Sequence, residues 1–105
     1  MTDKELLELA AKAMGYKYIN NALWHGRDVM EYEWNPLKND DHALRLAVKC
    51  RISLYLQENF PEMEVGFFDE KNQKWEFVLG IDIENREQTV RSCIVRAAAE
   101  IGKNV

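Results

Sequence analysis

The side chains in this sequence best suited to chemistry are two histidines, two pairs of spaced acids and thiols, and a knot of aromatics. His25 falls in the turn-forming run His25-Gly26-Arg27-Asp28, and His42 falls on the wet face of an amphipathic helix. Imidazole titrates near neutrality and ligates metals, so either could move a proton or hold an ion, but the two could meet only through tertiary structure. Surface or capping roles are the simpler reading. Glu31 and Glu33 project from one face of a predicted strand, roughly 6 to 7 Å apart. That spacing suits a cation, although carboxylates on a solvated face ordinarily serve solubility. Trp24, His25, Tyr32, Trp34 and Asn35 crowd two predicted loops with aromatic bodies and polar tips, the composition of a pocket wall or an interaction hot spot. They read equally as core-edge aromatics whose indole N–H groups cap loop carbonyls. Cys50 and Cys93 both fall on predicted helices and read as buried free thiols rather than as a disulfide or metal ligands.

Around these residues the usual catalytic signatures are missing. There is no G-x-x-x-x-G-K, H-E-x-x-H, C-x-x-C or G-x-S-x-G, so the expectation is a protein that is not an enzyme and uses no cofactor or metal. The formal charge of −4, from 18 acidic and 14 basic residues, is spread along the chain, which disfavours nucleic acid as a partner. No apolar run approaches the roughly 20 residues needed to cross a bilayer. Met1-Thr2-Asp3-Lys4-Glu5 opens on charges rather than on a signal-peptide core, so a cytoplasmic protein is expected. Hydrophobic residues at 47% and charged residues at 30% of 105 positions describe one globular domain over residues 1–105.

The elements that must position these groups follow from periodicity. Thr2 and Glu5 have capping-box spacing, and Leu6, Leu7, Leu9, Ala10, Ala13 and Met14 form the apolar face of a helix that Gly15 terminates. Two short strands are expected between Tyr16 and Trp34, punctuated at Asn20-Asn21 and at the His25 turn. Asn35-Pro36 stops the second. Asn39-Asp40-Asp41 then caps a helix beginning at about Asp41 and ending near Cys50, with Ala43, Leu44, Leu46, Ala47, Val48 and Cys50 in one apolar arc and His42, Arg45 and Lys49 opposite. Ile52 to Leu56 reads as a half-buried strand, with a helix running on to Asn59 as the alternative because no glycine marks the switch, and Asn59-Phe60-Pro61-Glu62 reads as a turn. Met63, Val65 and Phe67 begin another strand, and the loop Asp69 to Gln73 closes a hairpin. In the last strand Trp75, Phe77, Leu79, Ile81 and Ile83 occupy every odd position and are expected to face the core.

A final helix begins between Glu84 and Glu87, with Val90, Ile94, Ala97, Ala98 and Ile101 as its stripe. Ser92, Val95 and Ala99 form a second strip of small or apolar side chains away from it. This strip is either tolerated helix surface or a second packing surface against another layer or another chain. The element order α-β-β-α-β-β-β-α gives an α+β fold: a mostly antiparallel sheet of about five strands packed against three helices, with an α/β/α sandwich as the variant.

Three segments together carry a resemblance: Glu5 to Gly15, Glu-Leu-Leu-Glu-Leu-Ala-Ala-Lys-Ala-Met-Gly; Trp34 to Lys49, Trp-Asn-Pro-Leu-x-x-Asp-Asp-x-Ala-Leu-Arg-Leu-Ala-Val-Lys; and Arg91 to Gly102, Arg-x-x-Ile-Val-Arg-Ala-Ala-Ala-Glu-Ile-Gly. The chain resembles the small phage and prophage proteins grouped as the phage ABA-sandwich domain. That resemblance implies helices on both sides of a sheet and a setting in the cytoplasm of a bacterium carrying phage or prophage genes. It supplies no catalytic residues. The expected function is a phage accessory protein that binds a host or phage protein, with a homo-oligomer as one form of association. The alternative is a small-ligand-binding or sequestering protein using the aromatic loops near Trp24 and Trp34.

Overall fold

In the computed structural model, which describes residues 1–56, 62–81 and 85–105, Thr2 begins the first helix, α1 (Asp3–Ala13), as its spacing to Glu5 implies. The Thr2 hydroxyl oxygen accepts from the Glu5 N–H at 3.2 Å. The Glu5 carboxylate accepts from that same hydroxyl rather than reaching back to the Thr2 N–H. Gly15 then turns the chain at φ +82°.

The segment expected to hold two strands folds as three: β1 (Lys17–Ile19), β2 (Ala22–His25) and β3 (Asp28–Glu31), an antiparallel meander. Asn20 and Asn21 both take left-handed backbone (φ 52° and 64°) between the paired residues Ile19 and Ala22. That is the two-residue primed turn matching the twist of paired strands, and asparagine tolerates it better than most residues.

The central helix, α2 (Asp40–Cys50), is capped by Asn39, whose side chain accepts from the His42 N–H at 3.0 Å. It stops without a glycine because Arg51 itself takes the left-handed conformation, φ 55°. Two expectations for this helix are corrected. His42 is buried, 7% exposed, whereas Leu44 and Val48 are 59% and 71% exposed. The inner arc comprises Ala43, Leu46 and Ala47 with His42 at its edge, so the helix is rotated towards the histidine. An imidazole can be buried there because both nitrogens have partners, described below.

The later strands, β4 (Ser53–Leu56), β5 (Glu62–Asp69) and β6 (Lys74–Ile81), form a second antiparallel meander. The expected single sheet of about five strands is therefore replaced by two sheets of three, ordered β1-β2-β3 and β4-β5-β6. α2 lies between the two strand blocks in sequence, and each block closes on itself through short turns. The predicted turn at Asn59-Phe60-Pro61 and the strand position Ile83 lie outside the described residues, as do the directions of Met63, Leu79 and Ile81.

A further correction concerns the face of β6. Trp75 and Phe77, expected in the core, are each 51% exposed, while Val65 and Phe67 on β5 are buried. The cause is one residue of register. A loop running from Asp69 to Gln73 would set Phe67 opposite Trp75. Asp69 instead pairs with Lys74, so Phe68 meets Trp75 and Val65 meets Val78. A shift of one residue exchanges the two faces of a strand. Asp69 holds this shorter loop: its carboxylate accepts from the backbone N–H of Lys71 and Asn72 and from the Asn72 side-chain amide at 2.8 Å. The Asn72 amide is the main reason that the carboxyl lies below its ordinary pKa.

The last helix, α3 (Arg86–Lys103), is the hub, packing on α1, α2, β5 and β6. Its expected stripe is buried at Ile94, Ala97 and Ala98. The second strip is placed inside the molecule as well, with Val95 and Ala99 buried and Ser92 half-buried. Val95 and Ala99 share a flank with Gly102, being two turns and one turn before it. Gly102 abuts the backbone of Leu9, so this flank is where α3 meets α1. At the other end, the Arg91 guanidinium donates to the Leu37 carbonyl at 3.0 Å and to the Asp40 carboxylate, tying α3 to the start of α2.

Candidate functional site

Two features stand out on this framework: a pocket beside α2 and a half-exposed aromatic face on the second sheet. The pocket has a volume of about 220 Å³ and lies between the first sheet, the end of α1 and the inner side of α2. Met14, Leu23, Trp34 and Leu46 make an apolar floor, and Tyr16, Glu31, His42, Arg45 and Lys49 make a polar rim. Leu23 and Leu46 are core residues of β2 and α2, so the floor is part of the hydrophobic core itself.

The rim's chemistry is set by His42. Its Nδ1 accepts from the Asn35 N–H at 3.0 Å, so in the neutral ring the proton sits on Nε2, which donates to Glu31 Oε1 at 3.3 Å. Both nitrogens are thus occupied, and no lone pair is presented to the pocket. Glu31 Oε2 faces the Arg45 guanidinium at 3.6 Å, and Arg45 also pairs with Asp41 at 3.0 Å. The Lys49 ammonium lies over the Tyr16 ring, 5.9 Å from its centroid. This arrangement orients charge and holds a shape; it does not assemble a nucleophile with a free base.

The aromatic constellation expected from the sequence is divided. Trp34 is buried in the pocket floor, 5.9 Å centroid to centroid from Tyr18. Asn35 contributes its backbone N–H to His42, and its side chain accepts from the Leu37 N–H. Trp24 is half-buried, and its indole N–H donates to the Ile19 carbonyl at the end of β1 at 3.2 Å. His25 is exposed and packs 5.5 Å from the Tyr16 ring, while Tyr32 stands in solvent. Trp24, His25 and Tyr32 do not line the pocket. The expected pairing of Glu31 with Glu33 on one strand face is corrected: β3 ends at Glu31, and Glu33 takes left-handed backbone, φ 49°, in the turn beyond. Among the described residues no group of three or more histidines, cysteines and acids is placed to hold a metal ion.

Sequence reasoning did not find Tyr16, Arg45 and Lys49 as rim residues. Tyr16 comes from the turn after α1, and Arg45 and Lys49 from α2, where nothing in the local pattern separates them from ordinary helix surface. The aromatic face was legible only in half. On the outside of the second sheet Phe68 is 41% exposed and stacks edge-on against Trp75, centroids 5.8 Å apart, with Phe77 two residues further along β6. The apolar alternation of β6 was readable, but the side it faces was not.

Both cysteines are free thiols, Cys93 buried and Cys50 half-buried, where desolvation pushes the Cys50 thiol up to about 11. The thiolate is the reactive form. Accordingly, a thiol-disulfide reagent at pH 8 is expected to label the native protein far more slowly than the urea-unfolded chain. Rapid labelling of both sites in the native state would contradict this burial.

The fold and these features define a class: an α+β domain of three helices and two antiparallel three-stranded sheets. No family model matches the chain, and no curated protein or solved structure gives a significant match. No helix among the described residues is long and apolar enough to cross a membrane.

Proposed function

We propose that this is a non-enzymatic phage or prophage accessory protein of the bacterial cytoplasm, which acts by binding a host or phage protein through the outer face of its second sheet. The observation that carries the reading is the exposure of Phe68, Trp75 and Phe77 on the side of β5 and β6 away from Val65 and Phe67. Grouped aromatic side chains in water are an interaction signal where single ones are not. The resemblance of the Trp34–Lys49 and Arg91–Gly102 segments to the phage ABA-sandwich domain supports the setting. It also suggests the partner's chemistry. The resemblance implies helices on both sides of a sheet, and α3 occupies the Val65 side here. A partner's amphipathic helix, apolar side inward, would occupy the other. Engagement of both His42 nitrogens supports a binding role over acid-base catalysis.

The test compares the native protein with Phe68→Ser/Trp75→Ser as baits in bacterial lysate. The double variant is expected to keep its circular dichroism spectrum and lose a protein that the native bait retains. Equal recovery by both baits, or nothing above background with either, would count against the proposal. Sedimentation of the bait alone distinguishes self-association from a foreign partner.

A further inference from the structure

We infer that the pocket between the first sheet and α2 is a binding site for a small apolar carboxylate, with the acid group held at Lys49 and the hydrocarbon lying on Trp34 and Leu46. This is independent of the protein-binding role of the second sheet. Its size comes first: about 220 Å³ is room for roughly ten non-hydrogen atoms, a short chain or a single substituted ring, and is below the usual range of drug-sized ligand pockets. The floor is hydrocarbon and indole, so the body of the ligand must be apolar.

The charges then decide the head group. Glu31 is the one carboxylate of the rim, and both of its oxygens are engaged, by His42 and by Arg45. An amine would have to displace one of those partners. Arg45 in turn is shared between Glu31 and Asp41. Lys49 differs: it is exposed, its ammonium lies over the face of Tyr16, and no carboxylate is paired with it among the described residues. A ligand carboxylate at the mouth would meet this ammonium with a charge-assisted hydrogen bond while its tail displaced water from the floor. His42 acts here as a positioning residue, since its bond to Glu31 holds that carboxylate away from the incoming anion's place at Lys49.

Octanoate, 1-octanol and octylamine present the same tail with an anionic, a neutral and a cationic head, and they serve as probes. Titrations are followed by backbone amide and indole NMR resonances of the labelled full chain. Octanoate is expected to shift the Trp34 indole and the amides around Leu23 and Leu46, and to bind at least about tenfold more tightly than octanol or octylamine, the worth of one charge-assisted contact. Lys49→Gln, a change at an exposed position, should remove that preference while leaving the unliganded spectrum otherwise intact. Met30→Trp, at the mouth, should block all three probes. Equal affinity for the three, an unchanged preference in Lys49→Gln, or shifts centred on Trp75 instead of Trp34 would each overturn the inference. So would no shift at millimolar octanoate.

Discussion

Gly102→Ala is expected to destabilise the protein by about 3 kcal/mol, the upper part of the range for forced overpacking. The reason is that a Cβ at this position would lie 2.0 Å from the Leu9 carbonyl oxygen and 2.8 Å from its carbon. These are backbone atoms of α1, so no side chain can swing aside, and α1 and α3 would have to separate along the flank that also buries Val95 and Ala99. Helix propensity acts in the opposite direction, since alanine is favoured over glycine by up to about 1 kcal/mol in a helix interior. The sign of the effect therefore discriminates. Urea denaturation monitored by circular dichroism should give a lower midpoint at similar slope. A midpoint equal to or above the native one would mean that the two helices are not in backbone contact at this crossing.

Leu46→Ala is expected to cost about 3 kcal/mol, within the range for deleting a buried leucine side chain. Leu46 is completely buried at the centre of the core, yet it also forms part of the pocket floor. Its removal would extend the existing cavity, so the surroundings have less to collapse onto. The comparison that gives the experiment its force is Val48→Ala. Both residues belong to the apolar arc read from the sequence, but Val48 is largely exposed, and its truncation should stay within about 0.5 kcal/mol. Similar losses for the two would restore the helix orientation that periodicity alone suggested.

What could be read in advance, and what could not, divides along a physical line in both cases. The caps at Thr2, Asn39 and Gly15, the stripe of α3 and the turn at Asn20-Asn21 are local: each depends on side chains within a few residues of the backbone groups they satisfy. The phase of α2 is not local. Ala43, Leu46 and Ala47 could be buried with either Leu44 and Val48 or His42 at the edge of the arc, and hydrophobicity favours the former. The outcome turned on Asn35 and Glu31, which reach the imidazole from the preceding strand and turn. The pocket rim was hidden for the same reason, since Glu31, His42 and Lys49 come together only when β3 lies beside α2.

The amino-acid order by itself determined where the helices and most of the strands lie, that the domain is α+β, and that β6 carries one apolar and one polar row. Those properties arise from short-range sterics, capping and the periods of helix and strand. Tertiary structure alone decided that the strands form two sheets, that Trp75 and Phe77 look outward, and that the small-residue flank of α3 receives α1. Periodicity reports that an element has two unlike faces but carries no information on which face a neighbour will cover. In β5 and β6 that choice depended on a single residue of loop length, held by the hydrogen bonds of Asp69.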